Sequence, residues 1–173
     1  MFCFATALLL AVGHAEVSPI RVRVEVTSKT DADRQKDKDT TTYTRILNVI
    51  VDNAGAEPAE LKVKYAVFGR DIASKDIVTL GQGEVPVSVK ARGTEKVQTP
   101  KADAVLDEPK PARGQKKADP TGSKIVGHGV QVLKGDTVVA EVFEPASIKA
   151  SFGTAAAAKP AAAAAAKPAD AKK

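Results

Sequence analysis

The sequence predicts an all-β fold, an antiparallel β-sandwich of seven to eight short strands. Three observations support this prediction. Polar and apolar residues alternate in most apolar segments between residues 20 and 152, no stretch of that region has a sustained helical period, and turn residues recur about every ten residues. A chain of 173 residues, 43% of them hydrophobic, has material for one such core with additional tails.

The first two strands are predicted at residues 20–28 and 41–52. In the first, valines alternate with charged residues, which is typical of a strand with one buried face. The second is rich in β-branched residues and is predicted to lie centrally in its sheet. Because Ile46 and Leu47 are adjacent, this strand has either a bulge or two partly covered faces.

Further strands follow a turn-forming segment at residues 53–58. They are predicted at 61–67, 76–80, 84–89 and 94–99. The first of them has the most regular alternation in the chain. Pro86 has no N–H to donate, so its strand is predicted to lie at a sheet edge or a bulge.

The last strands are predicted at 124–133 and 137–143. Between them, Lys134-Gly135-Asp136 has the residue types of a tight hairpin. Residues 146–152 alternate once more and are assigned as a candidate final strand.

The segment from Leu47 to Gly55, followed by Glu57 to Tyr65, carries a family resemblance. It is similar to the pattern V-x-V-x-N-x-G, then A-x-L-x-V-x-Y, of immunoglobulin-like or fibronectin-III-like modules in bacterial surface proteins. The resemblance covers residues 20–99, although the cysteines and tryptophan of antibody-type domains are missing. It implies an immunoglobulin-like sandwich that acts as a binding or spacer module and catalyses no reaction.

Residues 1–15 are predicted to be a secretory signal peptide, cleaved before Glu16. An uncharged apolar run covers residues 2–12, and small residues follow it directly before the cut. No Lys or Arg precedes the run, a departure from the usual pattern that a start codon placed too late would explain. The alternative interpretation is a buried N-terminal strand or helix of a cytosolic protein.

Cys3, the single cysteine, lies inside this predicted signal, so cleavage would leave a chain without thiols. Core burial alone would then stabilise the fold, which is more typical of a bacterial envelope protein than of a disulfide-rich scaffold. No apolar segment of the sequence is long enough for a permanent transmembrane helix. We therefore expect a soluble exported protein, periplasmic or extracellular.

Two segments are predicted to be disordered. Residues 100–122 form a loop within the sandwich domain at 16–153, and residues 154–173 form an Ala/Lys/Pro-rich C-terminal tail. Both segments have few large apolar side chains, so burial cannot offset the entropy that ordering them would cost.

The tail carries most of the excess positive charge, four lysines against one aspartate. Its candidate polyanion contacts are Lys159, Lys167, Lys172 and Lys173. It resembles the polyanion-binding tails of nucleoid and linker-histone-like proteins, but export argues against nucleic acid and favours envelope polymers or anionic lipid. The alternative is a solubilising spacer that binds nothing.

Four carboxylates lie close together, at Asp31, Asp33, Asp37 and Asp39. They do not fit a calcium loop, because Lys36 stands at the position of the required glycine and Thr42 at that of the bidentate Glu. The preferred interpretation is a solvated, mixed-charge connection between the first two strands.

His128 is the only histidine beyond the predicted signal and lies between Gly127 and Gly129. In a regular strand it would share a face with Val126 and Val130. No spacing indicates further metal ligands, and the glycines indicate a bulge or a close backbone approach.

The sequence does not favour catalysis. It has no Gly-x-Ser-x-Gly motif, no thiol after residue 15, incomplete glycine-rich phosphate loops and few aromatic residues for a sugar-binding cleft. We expect no enzyme activity and no cofactor, with a hydrolase based on an unrecognised carboxylate pair as an alternative.

The function predicted from the sequence is an exported, non-catalytic interaction or structural module of the bacterial cell envelope. Its partner would be a protein or an envelope polymer. The expected contact surface is a sheet edge or the outward charges at Arg21, Arg23 and Glu25, or at Lys62 and Lys64. The alternative function is polyanion tethering through the basic tail.

Overall fold

A computed structural model describes residues 18–111, 116 and 118–153. These described residues form eight strands and one short 3₁₀ helix, η1. In chain order they are β1 (Ile20–Arg34), β2 (Lys38–Asn53), β3 (Ala59–Asp71), β4 (Ile77–Val89), β5 (Thr94–Gln98), β6 (Ala102–Pro109), β7 (Thr121–Lys134), β8 (Thr137–Glu144) and η1 (Ala146–Ser151). The predicted signal segment and the predicted tail lie outside the described residues.

The strands form an antiparallel β-sandwich, as the sequence predicts. In the first sheet β2 pairs with β1 on one side and with both β5 and β6 on the other. The second sheet has the order β4-β3-β7-β8. Only two residue pairs between β6 and the start of β7 join the two sheets at one corner.

The core lies between the sheets and consists mainly of valine and other aliphatic side chains. Alternate residues of β2, β3 and β7 point inward, so Leu47, Val49, Val63, Val130 and Val132 are completely buried. A fully buried aliphatic side chain stabilises the fold by about 1.5–3 kcal/mol relative to an exposed one. No disulfide is present among the described residues, so this packing is what holds the sheets together.

A second, smaller cluster covers the outer face of the second sheet. There Ala66 and Phe68 of β3 pack against Ile148 of η1. The Phe152 ring meets the rings of Phe143 at 5.1 Å and Phe68 at 6.4 Å, both edge to face. Residues 146–152, predicted as a final strand, are therefore a helical turn and an aromatic anchor instead.

Strand β2 is central, as predicted, and pairs with two strands end to end. β5 pairs with Asn48 to Asp52 and β6 with Lys38 to Arg45. Thr99 fills the gap, since its N–H donates to the Leu47 carbonyl at 2.9 Å and its hydroxyl accepts from the Leu47 N–H at 3.0 Å.

The position of Pro86 is also confirmed, because β4 pairs only with β3 and so forms an edge of the second sheet. The two short strands predicted at 76–80 and 84–89 are one strand, β4, whose pairing with β3 shifts register opposite Val67 and Phe68. The glycines between them continue the strand because a bulge accommodates the irregularity.

The prediction of a disordered loop at residues 100–122 was wrong for its first half and its end. Residues 102–109 form β6, and Thr121 and Gly122 begin β7. The inward residues Ala102, Ala104 and Leu106 are at most 3% exposed. The small side chains of alanine are sufficient to fill the core beside β6. The prediction failed because it considered only large apolar residues able to form a core strand.

The prediction of a charged connection after residue 28 was also wrong for most of its length. β1 continues to Arg34 and β2 begins at Lys38, so only residues 35–37 turn the chain. The outer part of this hairpin is ordered by pairing of β2 with both β1 and β6.

Asn53 fastens the loop that follows β2. It is 3% exposed, its amide donates to the carbonyls of Glu57 at 2.8 Å and Lys90 at 3.2 Å, and its side-chain oxygen accepts from the Gly55 N–H at 2.9 Å. One side chain thus joins the β2–β3 loop to the end of β4, which explains the Asn-x-Gly sequence in physical terms.

We expect Asn53→Ala to lower the free energy of unfolding by about 2 kcal/mol, because it leaves buried backbone groups without partners. Urea denaturation followed by circular dichroism measures this change. Asn48→Ala is the matched control, since the Asn48 side chain bonds only to Thr27 and Gln98 on the exposed face. An equal effect of the two substitutions would contradict the role assigned to Asn53.

Candidate functional site

Strand β1 is a long open edge of the first sheet. All 15 of its residues pair with β2 on one side, and no strand of the described chain pairs with its other side. From Glu25 to Arg34 every residue is exposed. An open edge of this kind offers unpaired backbone N–H and C=O groups to another chain.

The outer half of the β1–β2 hairpin, together with β6, forms an arm of residues 28–45 and 102–109. Its outer face has a row of threonines bonded to aspartates, with Thr40 Oγ1 2.5 Å from Asp107 Oδ1 and Thr44 Oγ1 2.6 Å from Asp103 Oδ1. The bond from Thr40, and then that from Lys38, holds the pKa of Asp107 below its usual range. These cross-strand bonds keep the arm extended.

The outward charges named from the sequence lie on the outer faces of the two sheets, and most are paired within the chain. An Arg23 guanidinium nitrogen lies 3.2 Å from Asp52, and Lys96 Nζ lies 3.0 Å from Glu25. Lys62 and Lys64 of the other sheet both form ion pairs with Glu84.

The Glu84 carboxylate forms two ion pairs, with Oε1 2.9 Å from Lys64 Nζ and Oε2 3.6 Å from Lys62 Nζ. The hydrogen bond from Lys64 is the main reason why the pKa of Glu84 is lowered. Surface pairs of this type contribute little to stability, so they leave the charges available to a partner.

The four clustered aspartates do not converge. Asp31 and Asp33 lie on the outer face of β1, Asp37 is in the turn, and Asp39 lies opposite Arg34 on the other face. Asp31 pairs with Lys29 at 2.8 Å and Asp39 with Lys110 at 2.7 Å. Within the described residues, no three His, Cys, Asp or Glu side chains are arranged to hold a metal ion.

His128 lies at the end of the core, inside the sandwich. It is 2% exposed, and in β7 it is directly opposite Val67 of β3 and Glu144 of β8. A cleft of about 380 Å³ opens beside it. The cleft is lined by Val26, Arg45, Val126, Gly127, His128, Glu144 and Pro145.

The polar groups in this cleft are incompletely paired. His128 Nε2 lies 3.9 Å from a Glu144 carboxylate oxygen, beyond hydrogen-bond distance. His128 Nδ1 and Arg45 Nε are both buried without a hydrogen-bond partner. The core therefore ends in a polar layer in which two buried hydrogen-bonding atoms have no partner.

The pKa of His128 is lowered, first by burial and then by the nearby Arg45 charge, while Glu144 acts in the opposite direction. Burial also lowers the pKa of Arg45. The neutral imidazole is thus the favoured form of His128. The residues lining the cleft include no hydroxyl, thiol or amine, so the groups there that can exchange a proton or act as a nucleophile are the His128 imidazole and the Glu144 carboxylate.

The glycines that flank His128 have the role expected from the sequence. The pairing of β7 with β3 shifts register at Val126, which turns Val126 to the opposite face from His128. A Cβ at Gly129 would lie 2.6 Å from the Phe143 ring, and one at Gly127 would lie 2.4 Å from the Glu144 carbonyl oxygen. The bulge and the close approach are both present.

Sequence reasoning missed Arg45 and Glu144 as neighbours of His128. A signal was available for Arg45, because it occupies an inward position of β2 in line with Leu47 and Val49. A single charge in such a row indicates a polar layer or a core boundary. Glu144 lies in the other strand of the same hairpin, one residue beyond the strand predicted at 137–143, and a register shift at Val132 and Leu133 brings it opposite His128.

The candidate polyanion contacts, Lys159, Lys167, Lys172 and Lys173, lie outside the described residues. In the part of the chain that is described, no helix is both long and apolar enough to cross a membrane.

No family model matches this chain, and no curated protein matches it. Among solved structures, a β-glucuronidase of Bacteroides uniformis is 9% identical over 73% of this chain and 14% of its own, with a TM-score of 0.42. A β-glucuronidase from glycoside hydrolase family 2 is 9% identical over 72% of this chain and 12% of its own, with a TM-score of 0.38.

A third structure, the structural-genomics target SoR45, is 10% identical over 70% of this chain and 84% of its own, with a TM-score of 0.33. The chain spans only 12% to 17% of the length of the glycosidases that it matches.

We expect stability to depend on pH through His128. Its pKa is lower in the folded chain than the ordinary value of 6.5, so the unfolded chain binds the proton more tightly. The free energy of unfolding is therefore highest above pH 6.5, as far as His128 is concerned. It falls as the pH drops below 6.5 and stops falling once the pH is below the pKa of His128 in the folded chain. Urea denaturation at about pH 7.5 and about pH 5 measures the loss.

His128→Gln should reduce that loss, because it removes the titrating group. The carboxylates with lowered pKa, such as Asp107 and Glu84, lose their contribution at lower pH and act equally in both chains. An identical pH dependence in the wild type and His128→Gln would contradict this assignment.

Proposed function

We propose that this chain is an exported, non-catalytic interaction or structural module of the bacterial cell envelope, with an immunoglobulin-like sandwich as its body. Its binding surface would be the open edge of β1. The partner adds a strand to this edge and bonds to it through the main chain.

The observation that carries this proposal is the length and exposure of β1. The strand has 15 residues with no proline and no glycine, and its last ten are exposed. Natural sandwiches usually shorten, interrupt or cover such an edge. Here β4 has Pro86 in its interior, while β1 has no comparable block.

Charge on β1 limits unspecific pairing without preventing specific pairing. Arg21, Arg23, Glu25 and Lys29 alternate with uncharged residues along the strand. An incoming strand therefore has to match a charge pattern as well as the backbone ladder, and this requirement supports recognition over aggregation.

Three further points support the remaining parts of the proposal. The Asn-x-Gly turn after β2 is the feature that resembles bacterial surface modules, and Asn53 is the side chain that fastens that loop. The apolar segment at residues 2–12 favours export. In the cleft beside His128, the two possible nucleophiles, His128 and Glu144, are not hydrogen-bonded to each other, since their nearest atoms are 3.9 Å apart, and this supports a non-catalytic role.

Polyanion tethering through Lys159, Lys167, Lys172 and Lys173 stays a prediction from the sequence. These four lysines lie outside the part of the chain that the structure describes.

Two proline variants test the edge. Neighbouring residues of an antiparallel strand point their N–H groups to opposite sides, so one of Lys29→Pro and Thr30→Pro loses a bond to β2 and the other loses only a solvent-facing N–H. We expect the variant with the higher melting temperature to lose at least about tenfold in partner capture, since its edge can no longer complete a new ladder.

Capture is measured by pull-down from solubilised envelope with four baits, namely the full chain, the two proline variants and a chain ending at Gly153. Binding by the chain ending at Gly153, and loss in the stable proline variant, would support the edge. Capture that requires residues 154–173 and disappears at high salt would instead support tethering.

A further inference from the structure

We propose that the partner of the β1 edge is β1 of a second copy of this chain, paired antiparallel about a two-fold axis at Thr27. This inference rests on the proposed function and specifies its partner. The two first sheets would join into one continuous sheet across the dimer.

The argument starts from the outward positions of β1, which are its odd-numbered residues. Arg21, Arg23 and Glu25 precede Thr27, while Lys29, Asp31 and Asp33 follow it. Read outward from Thr27, the charges are negative, positive, positive in one direction and positive, negative, negative in the other. The pattern is thus antisymmetric about Thr27, which is also the midpoint of the strand Ile20–Arg34.

Antiparallel pairing about Thr27 converts this antisymmetry into complementarity. Glu25 lies opposite Lys29 of the second copy, Arg23 opposite Asp31, and Arg21 opposite Asp33. Because the axis is two-fold, each pair occurs twice, so six opposite-charge pairs form. The Arg21–Arg23 end of this edge lies beside Ala140 and Glu141 of β8, so the incoming strand also meets the second sheet there.

Neighbouring registers are disfavoured. A slide of two residues in one direction places Glu25 opposite Asp31, and a slide in the other direction places Arg23 opposite Lys29. A slide of one residue would turn outward residues toward the core side. The charges therefore select one register for self-pairing.

The inward positions of β1 are compatible with this register. Val26, which is 39% exposed, comes to lie beside Ser28 of the second copy. Val24 and Val22 lie beside Thr30 and Ala32, whose side chains are short. At the ends of the strands, Ile20 lies beside Arg34. Apart from that pair, the apolar side chains of one strand lie beside short side chains of the other.

Existing ion pairs do not block the pairing. The side chains of Arg23, Glu25 and Lys29 are 67%, 58% and 71% exposed, although they pair with Asp52, Lys96 and Asp31. Exposed pairs are weak and exchange readily, so a cross-strand partner can share or replace the present one.

Sedimentation equilibrium of the purified full chain across a dilution series tests the proposal. The wild type should approach twice the protomer mass of 18.0 kDa. R23D and D31R should each raise the dissociation constant about tenfold, because either change replaces two attractive pairs with two repulsive ones. The double variant R23D/D31R should restore the wild-type value, since the pairs form again with the charges exchanged.

K62E is the control, because it reverses an exposed charge on the other sheet. R23D also places a carboxylate beside Asp52, and E25K places an ammonium beside Lys96. The pair E25K and K29E therefore repeats the test with a side effect of the opposite charge. Circular dichroism verifies folding of every variant.

A monomeric wild type, or a folded R23D/D31R chain that fails to recover association, would overturn the second-copy proposal. A monomeric chain that still captures an envelope component through the β1 edge would overturn only this inference. A monomeric chain that captures nothing would overturn the proposed function as well.

Discussion

The structure depends on the burial of three valine-rich strand faces against one another. β2 supplies one side of the core, and β3 and β7 supply the other, with Leu47, Val63 and Val132 completely buried. Because no disulfide among the described residues adds to this packing, the sheets hold together only while the period-two alternation of each strand is kept in register. The arm and the polar cleft lie beyond this core, where β1 and β6 pair with β2 and where β8 pairs with β7.

The alternation that makes the core is also what made the fold predictable. It identified β1 and β3, while β-branched residues placed β2 at the centre, the turn at Lys134-Gly135-Asp136 indicated β7 and β8, and Pro86 indicated an edge. β6 was missed because Ala102 and Ala104 carry too little apolar surface to be recognised without knowing that β2 lies beside them. Likewise, the charged residues after residue 28 are strand-forming only because β2 and β6 hold them in place, a tertiary effect that local propensity does not contain.

The candidate site was predictable to a smaller degree. The outward charges of β1 followed from its alternation, but its place at a sheet edge and its full length did not, since these depend on the strand order and on the ordered arm. His128 was singled out from the sequence, but its neighbour Arg45 comes from β2, far away in the chain, and Glu144 lies one residue beyond the strand predicted at 137–143. Contacts between distant strands depend on the order of the strands in the sheet and on their register. A single sequence determines neither of them.

The connectivity of the sandwich also bears on how the chain reaches its fold. β1–β2, β3–β4 and β7–β8 are hairpins of consecutive strands, whereas β3 and β7 align residues such as Lys62 and Leu133, far apart in the chain. Local hairpins close quickly, and distant pairings must first overcome the entropy of a long loop. The β3–β7 ladder, and the equally distant β2–β6 ladder that pairs Lys38 with Pro109, are therefore expected to form after the hairpins, and until they form each hairpin exposes a valine-lined face to water.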